Sequence, residues 1–306
     1  KSCIKGEHVT IGKSIRVYLD DATVTGIRYA ELVNWTGQAI VCPRNRLNEL
    51  KDWPEASKPG IYFLFEGHFS DTKPLAYIGE SEDVARRLTN HDRNKDFWSE
   101  VIIFTSKDSN LTKAHIKYLE SSLVNISKNA NRYNLENSNS PTESSLPRAD
   151  SDAMKEFIEN MRMVIGVLGY SILEPILKSN YSSNNIDDIP EPIEDSLSNL
   201  FFSVNNISAR GAVTDEGFVL KKGSQFSTDN TESIPGKILS IKNQYITNGK
   251  IINDNDTLVA SEDILLSSAS YAAAMVAGTS RSGPQSWKTA SGKTMKKIED
   301  ESLKNA

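Results

Sequence analysis

The residues with most chemistry to offer lie between Gly60 and Asn134. Tyr62 and Tyr77 each sit in a short apolar run, where a phenol can donate, accept or pass a proton. Arg87 offers a planar guanidinium, a fixed positive charge with several N–H donors. His91 follows it one helical turn later, so the two groups share a helix face beside the apolar residues Val84 and Leu88. Glu120 is the anomaly, because Ile116, Leu119, Leu123 and Val124 surround it on the apolar face of a helical stretch. A buried carboxylate needs a cationic or metal partner, since an unpaired buried charge is costly. Each residue alone also has a plain structural explanation. Two tyrosines suit a core or an interface, an arginine on a helix suits solvent, and Glu120 suits a salt bridge to Arg86 or Arg87.

The elements that must position these groups are legible from pattern. Ile61-Tyr62-Phe63-Leu64-Phe65 and Leu75-Ala76-Tyr77-Ile78-Gly79 read as two strands joined by a polar connection, which predicts an antiparallel hairpin. Alternation lets the two phenols converge on one face of the sheet. Ser81 is placed to cap a helix whose first turn holds Glu82 and Asp83, acids at the positive end of the helix dipole. Phe97-Trp98 and Val101-Ile102-Ile103-Phe104 supply a third strand. A helix over about residues 110–127 carries Glu120, and Asn131-Arg132-Tyr133-Asn134 then turns an amide out after it.

In combination these residues resemble the GIY-YIG nuclease family. Gly60-Ile61-Tyr62 and Tyr77-Ile78-Gly79 are its two name-giving triplets. Arg87 in Arg86-Arg87-Leu88, His91, Glu120 in Tyr118-Leu119-Glu120, and Asn134 in Arg132-Tyr133-Asn134 follow in the family's order. The match covers about residues 57–137. It implies an α/β fold whose core is a small three-stranded antiparallel sheet flanked by helices, and a metal-dependent DNA endonuclease acting in repair, restriction or defence. By the same resemblance, Tyr62 is the general base or its relay, Arg87 clamps the scissile phosphate, and Tyr77 and His91 orient water or phosphate. Glu120 holds a divalent metal, Mg²⁺ or Mn²⁺, and Gly79, Arg86 and Asn134 are candidates for substrate binding. An ordinary phenol, with a pKa near ~10, is a poor base unless a nearby cation lowers it. The competing reading is a catalytically silent module that binds DNA or protein on the same fold.

Around this core the 306 residues divide into a β-rich unit (1–55), the nuclease-like core (56–140) ending in the polar break Asn137-Ser138-Asn139-Ser140-Pro141, an amphipathic helix with an acidic linker (141–200) and an α+β domain (201–306). In the first, residues 15–19, 26–32 and 38–42 read as strands. In the third, Met154, Phe157, Ile158, Met161, Ile165 and Leu168 recur at helical spacing, a stripe expected to pack on a neighbour rather than hold a cofactor. The last domain, with the leader segment around Gly26-Ile27-Arg28, resembles a domain of unknown function and leader that accompany this nuclease core in a bacterial subgroup.

Lys and Arg number 35 against 40 Asp and Glu, a net charge of -5 that argues against a simple basic nucleic-acid binder. The surplus is local: residues 141–200 carry 4 basic and 11 acidic residues, leaving 31 against 29 elsewhere. Net charge therefore does not exclude DNA, and it predicts that affinity depends on the flanking regions. Two cysteines and four histidines build neither a disulfide framework nor a Cys/His zinc site, so a cytoplasmic setting is expected. The longest apolar run falls short of the roughly 20 residues of a membrane span, so no membrane partner is expected.

Overall fold

The computed structural model describes residues 11–67, 73–137, 145–177 and 196–304. Most of the expected acidic linker, and the break after Asn137, lie outside the described residues. The chain is mixed α/β and divides into two compact units, Lys1–Pro175 and Ile176–Ala306.

The first unit is built on one sheet. Its strands are β1 (Ile15–Leu19), β2 (Arg28–Leu32), β3 (Gly37–Pro43), β4 (Gly60–Glu66), β5 (Leu75–Ser81), β6 (Trp98–Ser106) and β7 (Asn134–Leu135). They lie in the order β1-β2-β3-β6-β4-β5-β7, antiparallel except for the short β5 and β7 pair. The sheet thus has seven strands where three were expected, and the strands expected to form a separate N-terminal unit belong to it. The reason is an edge. β6 is buried on both faces from Val101 to Phe104, so its outer row of backbone donors and acceptors needs a partner. β3 supplies it, in register from Gly37 opposite Ser106 to Pro43 opposite Glu100.

Strand alternation sends side chains into two cores. Ile61, Phe63, Phe65, Ala76 and Ile78 face α2 (Lys113–Ala130) and α3 (Arg148–Val167). Tyr62, Leu64, Val101 and Ile103 face α1 (Val84–Asn94) and a 3-10 segment (Arg44–Asp52). The methionine-bearing stripe of α3 is buried in the first core, with Met154, Phe157, Ile158 and Met161 packed there, as its periodicity predicted. α2 begins at Thr112, whose hydroxyl accepts the His115 N–H at 3.4 Å, and it ends at Asn131 in the left-handed region (φ 55°).

The second unit holds β8 (Leu200–Val204), β9 (Ile207–Thr214), β10 (Gly217–Leu220), β11 (Gln225–Phe226), α4 (Gly236–Thr247), β12 (Ile251–Asp254), β13 (Thr257–Ala260), β14 (Ile264–Leu266), α5 (Ala269–Ala277), α6 (Gly283–Ser286) and α7 (Met295–Lys304). Two antiparallel sheets, β14-β10-β9-β8 and β11-β13-β12, share one core with α5, whose Ala272, Ala273, Met275 and Val276 are buried. Ser268 caps α5 and Gly278 ends it at φ 69°, where a Cβ would fall 2.1 Å from the Asp229 carbonyl oxygen. Among the described residues no helix is long and apolar enough to cross a membrane.

Candidate active site

Pairing of β4 with β5 sets Tyr62 directly opposite Gly79. The phenol lies across the glycine, so a Cβ at position 79 would come within 2.3 Å of its oxygen. Gly79 therefore makes room for Tyr62. With that space open, the Tyr62 and Tyr77 rings sit 6.1 Å apart between centroids at an interplanar angle of 34°.

α1 delivers the cation. Its cap is Asp83 rather than the expected Ser81: the Asp83 carboxylate accepts the Arg86 N–H at 3.0 Å, while the Ser81 hydroxyl accepts the Asp83 N–H at 3.1 Å. Val84 and Leu88 anchor the helix in the same core as Tyr62, and Arg87 reaches over to hydrogen-bond with both phenols.

The electrostatics distinguish the two tyrosines. Tyr62 is 0% exposed, and burial, then the neighbouring Tyr77, pushes its hydroxyl well above the ordinary phenol value against the pull of Arg87. Tyr77 is half-buried and also raised, by burial and then by Glu120, with Tyr62 and Arg87 opposing. Lys95 holds its ammonium 4.4 Å from the centre of the Tyr77 ring.

Glu120 reaches the cluster from α2 at the outer edge of β5. Its carboxylate accepts the backbone N–H of Glu80, and its pKa is pushed up to about 7 by burial and then by the Glu80 carboxylate, with Arg87 and Lys117 opposing. No ion pair closer than 4.0 Å joins it to Arg86 or Arg87 among the described residues. The rest of this edge is sealed by other groups. Asn137 brackets Ile78, accepting its N–H at 3.1 Å and donating to its carbonyl at 2.7 Å, and the Glu136 N–H donates to Ala76.

The structure thus brings Tyr62, Tyr77, Gly79, Arg87 and Glu120 together. Arg86 is exposed and stands outside the cluster. Asn134 is exposed on β7, where its side-chain amide donates to the Lys73 carbonyl at 3.1 Å and pins that strand. The backbone of His91 lies in α1, and its side chain falls outside the described residues. Three neighbours escaped the sequence reading. Glu80 follows the second triplet directly and was a findable acid in an apolar strand. Asn137 looked like the start of a polar break, and Lys95 carried no signal in a charged connection.

Among the described residues no three His, Cys, Asp or Glu side chains converge as a metal cage. The donors present are the carboxyl of Glu120 and, close by, that of Glu80. Two hard oxygen donors that repel each other suit Mg²⁺ or Mn²⁺, ions that complete their shells with water and substrate oxygens.

Residues 200–299 match the family described as Domain of unknown function (DUF4357). The match falls within the second unit, covers about a third of the chain and carries no activity with it. No curated protein and no solved structure matches the chain.

Proposed function

We propose that this protein is a divalent-metal-dependent DNA endonuclease of the GIY-YIG type. The observation that carries the reading is the convergence of Tyr62, Tyr77 and Arg87 in one hydrogen-bonded group within electrostatic reach of Glu120. Hydrolysis forms a bond from a water oxygen to phosphorus and breaks the bond from phosphorus to the 3′-oxygen, which leaves as a hydroxyl with a proton equivalent to the one the water gives up to solvent, while negative charge builds on the phosphate. Arg87 is the exposed cation for that charge. Tyr77, half-exposed and protonated at neutral pH, orients the attacking water through its hydroxyl. Tyr62 is fully buried, so it acts as the relay that fixes Tyr77 and Arg87 and does not touch the water itself. Glu120, with Glu80 beside it, would hold the Mg²⁺ or Mn²⁺, which supplies Lewis-acid stabilisation of the leaving oxygen when bound.

A second reading, a silent DNA- or protein-binding module, is favoured by one observation: both phenols are raised, so neither is poised as a base. Incubating the full chain with supercoiled plasmid separates the two. The endonuclease nicks or linearises it with Mg²⁺ or Mn²⁺ and not with a chelator. A silent DNA-binding module binds with a salt-dependent affinity and leaves it intact.

A further inference from the structure

The second unit carries a cleft of about 400 Å³ lined by Phe201, Ser203, Arg281, Gln285, Lys288 and Thr289. Phe201 and Lys288, which line it, belong to a row of side chains running across strands. Phe201 exchanges backbone hydrogen bonds with Lys288, donating at 2.7 Å and accepting at 2.9 Å, and on its other side it pairs with Arg210. Beyond Arg210, the Lys221 N–H donates to the Arg210 carbonyl at 2.8 Å. Residues directly opposite in antiparallel strands point to the same face, so Lys288, Phe201 and Arg210 share one face. The other face is accounted for, since Leu200, Phe202 and Ala209 are buried in the core.

This row is chemically unusual for a solvent face. Phe201 stays 37% exposed although it sits mid-row, between Lys288 on one side and Arg210 on the other. Lys221 spends its ammonium on the Ser198 carbonyl and the Asn199 side chain. Arg210, Arg281 and Lys288, by contrast, form no ion pair among the described residues. Residues 201–306 are nearly balanced in charge, with 12 basic and 11 acidic residues, so these cations are a local concentration. An exposed aromatic ring flanked by unpaired cations fits a single nucleic-acid strand, with a base stacked on the ring and phosphates on the cations.

We propose that this cleft binds single-stranded DNA, with a base on Phe201 and flanking phosphates on Lys288 and Arg281 within the cleft and on Arg210 beside it. The inference rests on DNA being the substrate of the chain, and it gives the second unit the task of holding an unpaired segment. A duplex offers no free base face to Phe201, so the cleft discriminates in favour of unpaired strands.

The test is fluorescence anisotropy of a labelled oligothymidylate with the full chain, over a range of salt. Phe201→Ala is expected to weaken binding about tenfold or more, through loss of stacking. The pair Lys288→Gln and Arg281→Gln is expected to weaken it by a similar factor, and to reduce the slope of log affinity against log salt by about 1.4, at about 0.7 per phosphate contact. Both side chains are exposed, so thermal melts should be unchanged. Affinity unaltered by all three substitutions overturns the proposal, as does equal binding of duplex that is indifferent to Phe201→Ala. Plasmid nicking by the same preparations separates this idea from the endonuclease reading. Nicking by wild type with strand binding unaltered in the cleft variants sinks the cleft alone. Cleft-dependent strand binding with an inert wild type leaves the cleft standing and sinks the nuclease.

Discussion

A side chain at position 79 would collide with a ring that has nowhere to go, because the phenol of Tyr62 is fully buried and its ring carbon also lies 2.4 Å from the added Cβ. Gly79→Ala is therefore expected to cost about 1–3 kcal/mol in urea unfolding, the range for forced overpacking; a change below about 0.5 kcal/mol would show that the ring yields freely. Glu120 gives a pH signature. Its folded value of about 7 lies above the 4.5 of the free group, so between those values the native state binds more protons than the unfolded chain, and stability falls as pH rises across that window. In chelator, Glu120→Gln should flatten this decline by about 1–2 kcal/mol after solvent screening is allowed for. Equal pH slopes in both proteins would count against a repelled carboxylate. At this scale the sequence marked Tyr62, Tyr77, Arg87 and Glu120 by type and spacing, since apolar neighbours make a polar residue conspicuous. It could not mark Lys95, whose neighbours are polar, nor reveal that Tyr62 is sealed from water, which depends on Gly79 standing opposite.

Strands and helices were legible where periodicity is strong: the hairpin of β4 and β5, α2 and α3 all fall where pattern puts them. Partner choice was not legible. Nothing in residues 37–43 says that β3 must pair with β6, because an edge is a property of the assembled sheet. The same holds for the far edge at β5. There Asn137, read as part of a polar break, supplies two hydrogen bonds to Ile78 in place of a neighbouring strand. Asn137→Leu should remove about 1–3 kcal/mol, each lost bond costing about 1 kcal/mol, and leave the strand edge open to another chain. Thermal melts and sedimentation at rising concentration read the two effects. An unchanged melting temperature with a strictly monomeric variant would mean that the edge is covered in some other way.

For the whole molecule, the net charge of -5 hides an uneven distribution: the acid surplus sits in residues 141–200, while the site residues occupy a stretch with 11 basic and 11 acidic groups, residues 56–140. A neutral core has little long-range attraction for DNA. Residues 11–175, whose sheet and both cores are internal to the first unit, should unfold in a single cooperative transition when made alone. That fragment should nick plasmid less well than the full chain as salt rises. Equal nicking at all salt concentrations would show that the second unit adds nothing to binding.

In the proposed endonuclease, Arg87 and Glu120 serve one hydrolytic site. The most direct test of that shared role is metal-dependent nicking of supercoiled plasmid by wild type, Arg87→Ala and Glu120→Gln, with melting curves recorded in parallel. Wild type is expected to nick in Mg²⁺ or Mn²⁺, and each variant to lose about a hundredfold or more of that rate, with folding intact. An inert wild type, or variants that nick as fast as wild type, would contradict it.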